Sequence, residues 1–136
     1  MRKRIFLVFL ALVTVSACLL AQTGGQAASL ARSQDETVSL GYMHTVAYSQ
    51  RQYKKKYSQY ATTLAELVHS GSFTKRMASS DRGAYTVQFR GKPDAYSLTM
   101  VPKQFDAEHR SFYSDETGKI RVEEDKPATV ESPLLK

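Results

Sequence analysis

The sequence predicts an α+β domain: a long N-terminal helix packed on a small antiparallel four-stranded meander. Two changes of pattern predict it. Apolar and aromatic residues first recur every three to four positions, at Val38, Tyr42, Val46, Tyr53, Tyr57 and Tyr60, with Leu40, Met43 and Ala47 beside them. Such spacing draws one buried stripe along a helix. Beyond Gly83 the period falls to two: Tyr85, Val87 and Phe89 alternate with Thr86, Gln88 and Arg90, and Tyr96, Leu98 and Met100 with Ser97 and Thr99. A sheet of short strands with one apolar face needs a cover, and the helix carries the matching stripe.

The chain opens Met1-Arg2-Lys3-Arg4, runs apolar from 5 to 15 and continues through Ala17, Leu19, Leu20 and Ala21 before turning polar at Gln22. A basic head, a short apolar middle and small residues after it are the three parts of a secretion signal, placed at 1–21. The apolar run falls short of the about 20 residues a membrane span needs. The single cysteine, Cys18, ends Val15-Ser16-Ala17-Cys18, a tetrad similar to a bacterial lipobox, and is the candidate lipidation site. Its other reading is an apolar residue of the signal core, lost on cleavage near Ala21 or Ala28. Either way no thiol remains in the folded part, so no disulfide, thiolate nucleophile or cysteine metal site is expected there. Residues 22–32, rich in Gly, Gln, Ala and Ser, read as a flexible tether.

The formal charge of +6 includes Arg2, Lys3 and Arg4 of the signal; without them 16 basic residues face 13 acidic ones, a net +3. So small an excess gives little attraction for nucleic acid, which is not an expected partner.

The domain is expected over 33–126. Ser33-Gln34-Asp35-Glu36 is a capping box, with a serine that accepts from a backbone amide and a glutamate that reaches back. The helix then runs to about residue 58. Asp35 and Glu36 lie at the positive end of its dipole, and Lys54, Lys55 and Lys56 lie near the negative end. Thr63-Leu64-Ala65-Glu66 is a second capping box, opening a short helix that turns Leu64, Leu67 and Val68 inward and stops at Gly71. Residues 72–83 read as a loop. Gly91-Lys92-Pro93-Asp94 is a four-residue hairpin loop, and two further strands, at 110–114 and 119–123, flank Asp115-Glu116-Thr117-Gly118. The expected inner face pairs Val46, Tyr53 and Tyr57 with Val87, Phe89, Leu98 and Met100, making Phe89 a core residue. Residues 127–136, with Pro127 and Pro133, form an extended C-terminal tail.

Several strings carry a family likeness in their order. Tyr53, Tyr57, then Tyr60-Ala61-Thr62-Thr63-Leu64 and Leu67 before Gly71 look like a helix-to-head junction. Tyr96-Ser97-Leu98-Thr99, Arg110-Ser111-Phe112-Tyr113-Ser114-Asp115, Gly118-Lys119-Ile120-Arg121, Ala128-Thr129 and Ser132-Pro133-Leu134 look like the end of a head domain. Over residues 38–135 the chain resembles type IV pilin-like proteins and secretion pseudopilins. Pilin precursors also carry a glycine cut site, a phenylalanine, an apolar run and a glutamate at the fifth mature position; no such leader motif is present here. The resemblance therefore implies a pilin-like head domain placed behind an ordinary or lipoprotein signal.

Chemistry is sparse. His44, His69 and His109 are scattered, with no motif around any of them, so no catalytic residue is assigned. No histidine or cysteine spacing suits a metal. Asp115 and Glu116, and Glu123, Glu124 and Asp125, offer hard oxygens for calcium, but aspartate three residues before glycine is ordinary turn chemistry, so no metal or cofactor is expected. Tyr53, Lys54, Lys55, Lys56, Tyr57 and Tyr60 make a basic, aromatic cluster of the kind that holds single strands. Here the tyrosines are expected to face the sheet while the lysines solvate the helix. The expected function is that of a non-catalytic exported envelope protein, binding another envelope protein in a secretion or surface-appendage system. Its expected place is periplasmic, or anchored through Cys18 on the periplasmic or outer face. The alternative is a free or lipid-anchored periplasmic domain for a small ligand or nucleic acid.

Overall fold

A computed structural model describes residues 30–136. The signal at 1–21, Cys18 and the tether up to residue 29 lie outside the described residues. Helix α1 is Gln34–Tyr57. Ser33 caps it from extended backbone, its hydroxyl accepting the Glu36 N–H at 3.2 Å, and Ser58 closes it in the left-handed region, donating its N–H to the Lys54 carbonyl at 2.8 Å. These ends agree with the caps read from sequence.

The buried stripe is rotated from the one expected. Leu40, Tyr42, Met43 and Val46 are buried, together with the polar Glu36, Ser39, Ser49 and Gln50. Val38 is 52 % exposed and Tyr57 49 %. At 3.6 residues per turn, Val38 stands about 140° round the helix from Met43. Tyr57 belongs to the last turn, where residues 54–59 are all exposed because that turn runs past the core.

The second capping box opens only a 3-10 turn, Ala65–Leu67, with Leu67 fully buried. One turn has too few hydrogen bonds to propagate an α-helix. The expected loop 72–83 holds more structure than its composition suggests. Phe73 is buried beside Tyr42 with ring centroids 6.3 Å apart, a second 3-10 turn spans Lys75–Ala78, and the Tyr42 hydroxyl donates to the Met77 carbonyl at 3.0 Å.

The sheet corrects the expected meander of four strands. It has five, antiparallel and in chain order: β1 Asp81–Arg82, β2 Tyr85–Gly91, β3 Tyr96–Pro102, β4 Ser111–Asp115 and β5 Ile120–Glu123. The extra strand is β1, which pairs Asp81 with Thr86 and Arg82 with Tyr85. Two residues are too few to show alternation. The core lies between α1 and the inner face, where Leu40, Tyr42, Met43 and Val46 meet Tyr85, Val87, Leu98, Met100 and Phe112. Phe89 is only half-buried, at the rim near the hairpin, stacked on Tyr96 at 6.2 Å. Gly91 lets the chain after α1 press against the hairpin, since a Cβ there would stand 2.5 Å from Thr62 Cα.

The tail packs back on the sheet. Val122 donates its N–H to the Pro133 carbonyl and Leu135 its N–H to the Ile120 carbonyl, both at 2.9 Å, around a bridge between Arg121 and Leu134. The outer edge of β5 is thereby paired, which removes an exposed template for aggregation. Among the described residues no helix is long and apolar enough to cross a membrane.

Candidate functional site

The face of the sheet turned away from α1 carries the polar halves of the strand alternation, Thr86, Gln88 and Arg90 on β2 and Ser97 and Thr99 on β3, with Tyr113 beside them on β4. Part of this face is covered by the tail. Ala128 is buried and donates its N–H at 2.9 Å to the Ser111 hydroxyl, which itself donates to the Met100 carbonyl. Ser132 is buried too, its hydroxyl donating to Glu123 at 2.8 Å while its carbonyl accepts from the Arg121 guanidinium at 2.8 Å. Between tail and strands lies a hollow of about 340 Å³ floored by Gln88, Thr99 and Tyr113 and walled by residues 127–130. A second, of about 730 Å³, wraps the β2–β3 hairpin and shares Arg90, Ser97, Tyr113 and Val130 with the first. The two form one cleft.

The cleft has chemical polarity. Arg90 and Lys92 supply cations on the hairpin side, Asp115 and Glu116 anions on the β4 side, and Tyr113 with the half-buried Phe89 at the rim aromatic surface. Burial pushes the Tyr96 hydroxyl up to about 12, so it stays protonated. Such a lining suits an extended peptide, which offers apolar side chains, backbone groups and charges of both signs. The hairpin end of the cleft sits far from the chain's entry point, because the Tyr60 N–H donates at 2.9 Å to the Pro93 carbonyl and so ties the hairpin to the C-terminal end of α1, while the tail wall starts near that entry point, where Glu124 pairs with Arg32 at 2.6 Å. A helix of 24 residues is about 36 Å long.

The entry end is locked. Glu36, fully buried, accepts at 2.9 Å from both the Arg110 N–H and its Nε, at 2.8 Å from its Nη2, and at 2.7 Å from the Arg32 N–H. Burial raises the Glu36 carboxyl, but the Arg110 side chain and the two backbone donors outweigh it and hold it below its ordinary value. The Tyr85 hydroxyl donates to the Arg110 carbonyl at 3.0 Å. His109 stands between two aspartates, its Nδ1 2.7 Å from Asp106 and its Nε2 3.3 Å from Asp35. Hydrogen bonds to Asp106 first and Asp35 second push the imidazole up.

The other sequence candidates fall elsewhere. His44 is exposed on α1, and His69 lies in the turn after Leu67 with φ 72. Asp115 closes its own turn, accepting from the Thr117 N–H and hydroxyl. No group of three histidine, cysteine, aspartate or glutamate side chains among the described residues could share a metal ion. The basic cluster differs from the expected arrangement: Tyr53 packs on the core rim and Tyr60 edge-on to Tyr96 at 5.2 Å, but Tyr57 faces solvent. Lys54 Nζ lies 4.1 Å from the Tyr60 ring centroid and Lys56 Nζ 5.1 Å from that of Tyr57.

Sequence reasoning missed the tail as a wall of the cleft and the Glu36–Arg110 pair. Glu36 was visible only as a cap, and the tail has no period; the one available signal was the polar half of the strand alternation. Compared with protein-family models, curated proteins and solved structures, the chain matches none.

Proposed function

We propose that the chain is a non-catalytic, exported protein of a bacterial cell envelope, a binding or assembly component of a secretion or surface-appendage system. The signal at 1–21 supplies export. Cys18 supplies a lipid anchor where the lipobox is used, on the periplasmic or outer face. The ordered strings that resemble pilin-like proteins support the class. The observation that carries the binding role is the cleft on the outer sheet face, of mixed charge and lined by Tyr113, which runs from the tail near the entry end to the β2–β3 hairpin at the opposite end of α1. An anchored domain would present the hairpin end of that cleft away from its own membrane, toward a partner.

Capture from envelope extracts tests this reading. Thr99→Trp would fill the smaller hollow and Arg90→Glu would reverse a charge shared by both hollows. A defined envelope protein retained by the unaltered chain and lost with both variants supports the assembly role. Retention unchanged by either variant overturns the cleft as its seat. A melting shift induced by a small molecule, with no protein retained, points instead to the ligand-binding alternative.

A further inference from the structure

Beside the C-terminal end of α1 is a separate hollow of about 410 Å³, within the range of small-molecule sites. Gln52, Lys55, Lys56 and Tyr57 line it from the helix, and His69 and Ser70 from the turn opposite. Neither lysine has a carboxylate within ion-pair distance among the described residues. The one acid on the rim, Glu66, is already engaged, accepting the Thr62 N–H at 2.6 Å and its hydroxyl at 3.3 Å.

The far wall is held in place. His69 has left-handed backbone, with its N–H on the Phe73 carbonyl at 3.0 Å and the next N–H, of Ser70, on the Leu67 carbonyl at 2.8 Å. Gly71 follows at φ 59, and a Cβ there would lie 2.7 Å from the Tyr48 ring. Only glycine allows the turn to approach α1 this closely. Lys55, Lys56 and an imidazole thus line one small polar space whose single carboxylate, Glu66, is held by Thr62 and is not ion-paired with either lysine, and an anion seated beside the two lysines would relieve their mutual repulsion.

We propose that this hollow is an anion-binding site for a phosphate group. The available donors are single points around a hollow: two ammoniums, an imidazole, an amide and a hydroxyl. They fit the spread oxygens of a tetrahedral phosphate, whereas a planar carboxylate is best matched by an arginine fork. The negative end of the helix dipole opposes an anion here, so binding rests on Lys55, Lys56 and His69. The space exceeds a bare phosphate, and the half-exposed Tyr57 ring is placed to cover whatever the phosphate is attached to. That attachment is either a soluble phosphoester or a lipid headgroup.

The test is an amide-shift titration of the labelled exported protein at low ionic strength. Its probes are inorganic phosphate, vesicles of phosphatidylcholine alone, and vesicles of phosphatidylcholine with phosphatidic acid. Phosphate is expected to shift the Ser70 and Gly71 amides saturably while leaving Gln88 and Thr99 unmoved. The Lys55→Gln/Lys56→Gln double variant should weaken binding about tenfold or more. His69→Asn, which tolerates left-handed backbone, should also weaken it. Binding to phosphatidic acid vesicles, lost in the same variants, assigns the lipid source; phosphate binding with inert vesicles assigns the soluble one. The absence of a saturable shift, equal affinity in the double variant, or shifts spread evenly over all lysine-bearing segments would overturn the site.

Discussion

At the level of single residues, one buried ion pair fixes where the helix begins. Removing one partner of such a pair strands the other charge in a dry site, so Glu36→Gln should lower stability by about 3–5 kcal/mol in urea denaturation. A loss under about 1 kcal/mol would mean that the Arg110 guanidinium finds other partners or water. His109 gives a second expectation through pH. Its raised pKa means that protonation favours the folded state. This stabilisation is full below the unfolded value of about 6.5 and fades as pH rises through the higher folded value. Melting temperature should therefore fall as pH rises above about 6.5, and His109→Asn should flatten that slope; an unchanged slope would place the titration elsewhere. The two capping hydroxyls, Ser33 and Thr63, were legible in the sequence, but the partners of the two glutamates were not. In each box the glutamate bonds the amide four residues back, Arg32 for Glu36 and Thr62 for Glu66, instead of closing on the cap itself. Glu36 is drawn there by Arg110, a contact 74 residues away that no local pattern encodes.

At the level of elements, the period of the sequence located α1 and four strands to within a residue or so, because caps and alternation are local. It misjudged facing where geometry beyond the element decides. Val38 continues a four-residue spacing yet points to solvent, and Phe89 continues a two-residue alternation yet reaches the rim where the core ends. Phe112, fully buried under α1, is the better test of the core. Phe112→Ala should cost about 3–5 kcal/mol, as large cavities do. Phe89→Ala should cost less, near the about 0.5–1.5 kcal/mol of its pair with Tyr96 plus the area it covers. Equal costs for the two in chemical denaturation would contradict the assigned facing. The four-residue loop between β2 and β3 was legible from Gly91 and Pro93, set one residue later at 92–95; β1 was not, because its two residues show no alternation, nor was the tail, whose pairing with β5 follows no period.

At the level of the whole molecule, the two ends differ in kind. The entry end gathers Asp35, Glu36, Asp106, His109 and Arg110 into interlocked contacts, while the far end carries Lys54, Lys55 and Lys56 without ion pairs among the described residues. The tail joins the sheet's outer face to its last edge. Deleting residues 127–136 should remove hydrogen bonds worth about 1 kcal/mol each and leave the β5 edge open, lowering the denaturation midpoint and promoting self-association. A midpoint within error of the full chain would mean that the tail is not part of the folded unit. That cleft between tail and sheet is the seat of the proposed binding role, and in-cell photo-crosslinking reads it most directly. With a photoreactive residue in place of Thr99, inside the cleft, and in a second strain in place of the exposed His44 on α1, the expected result is one defined envelope-protein adduct from position 99 and none from position 44. No adduct from position 99, or the same adduct from both positions, would contradict it.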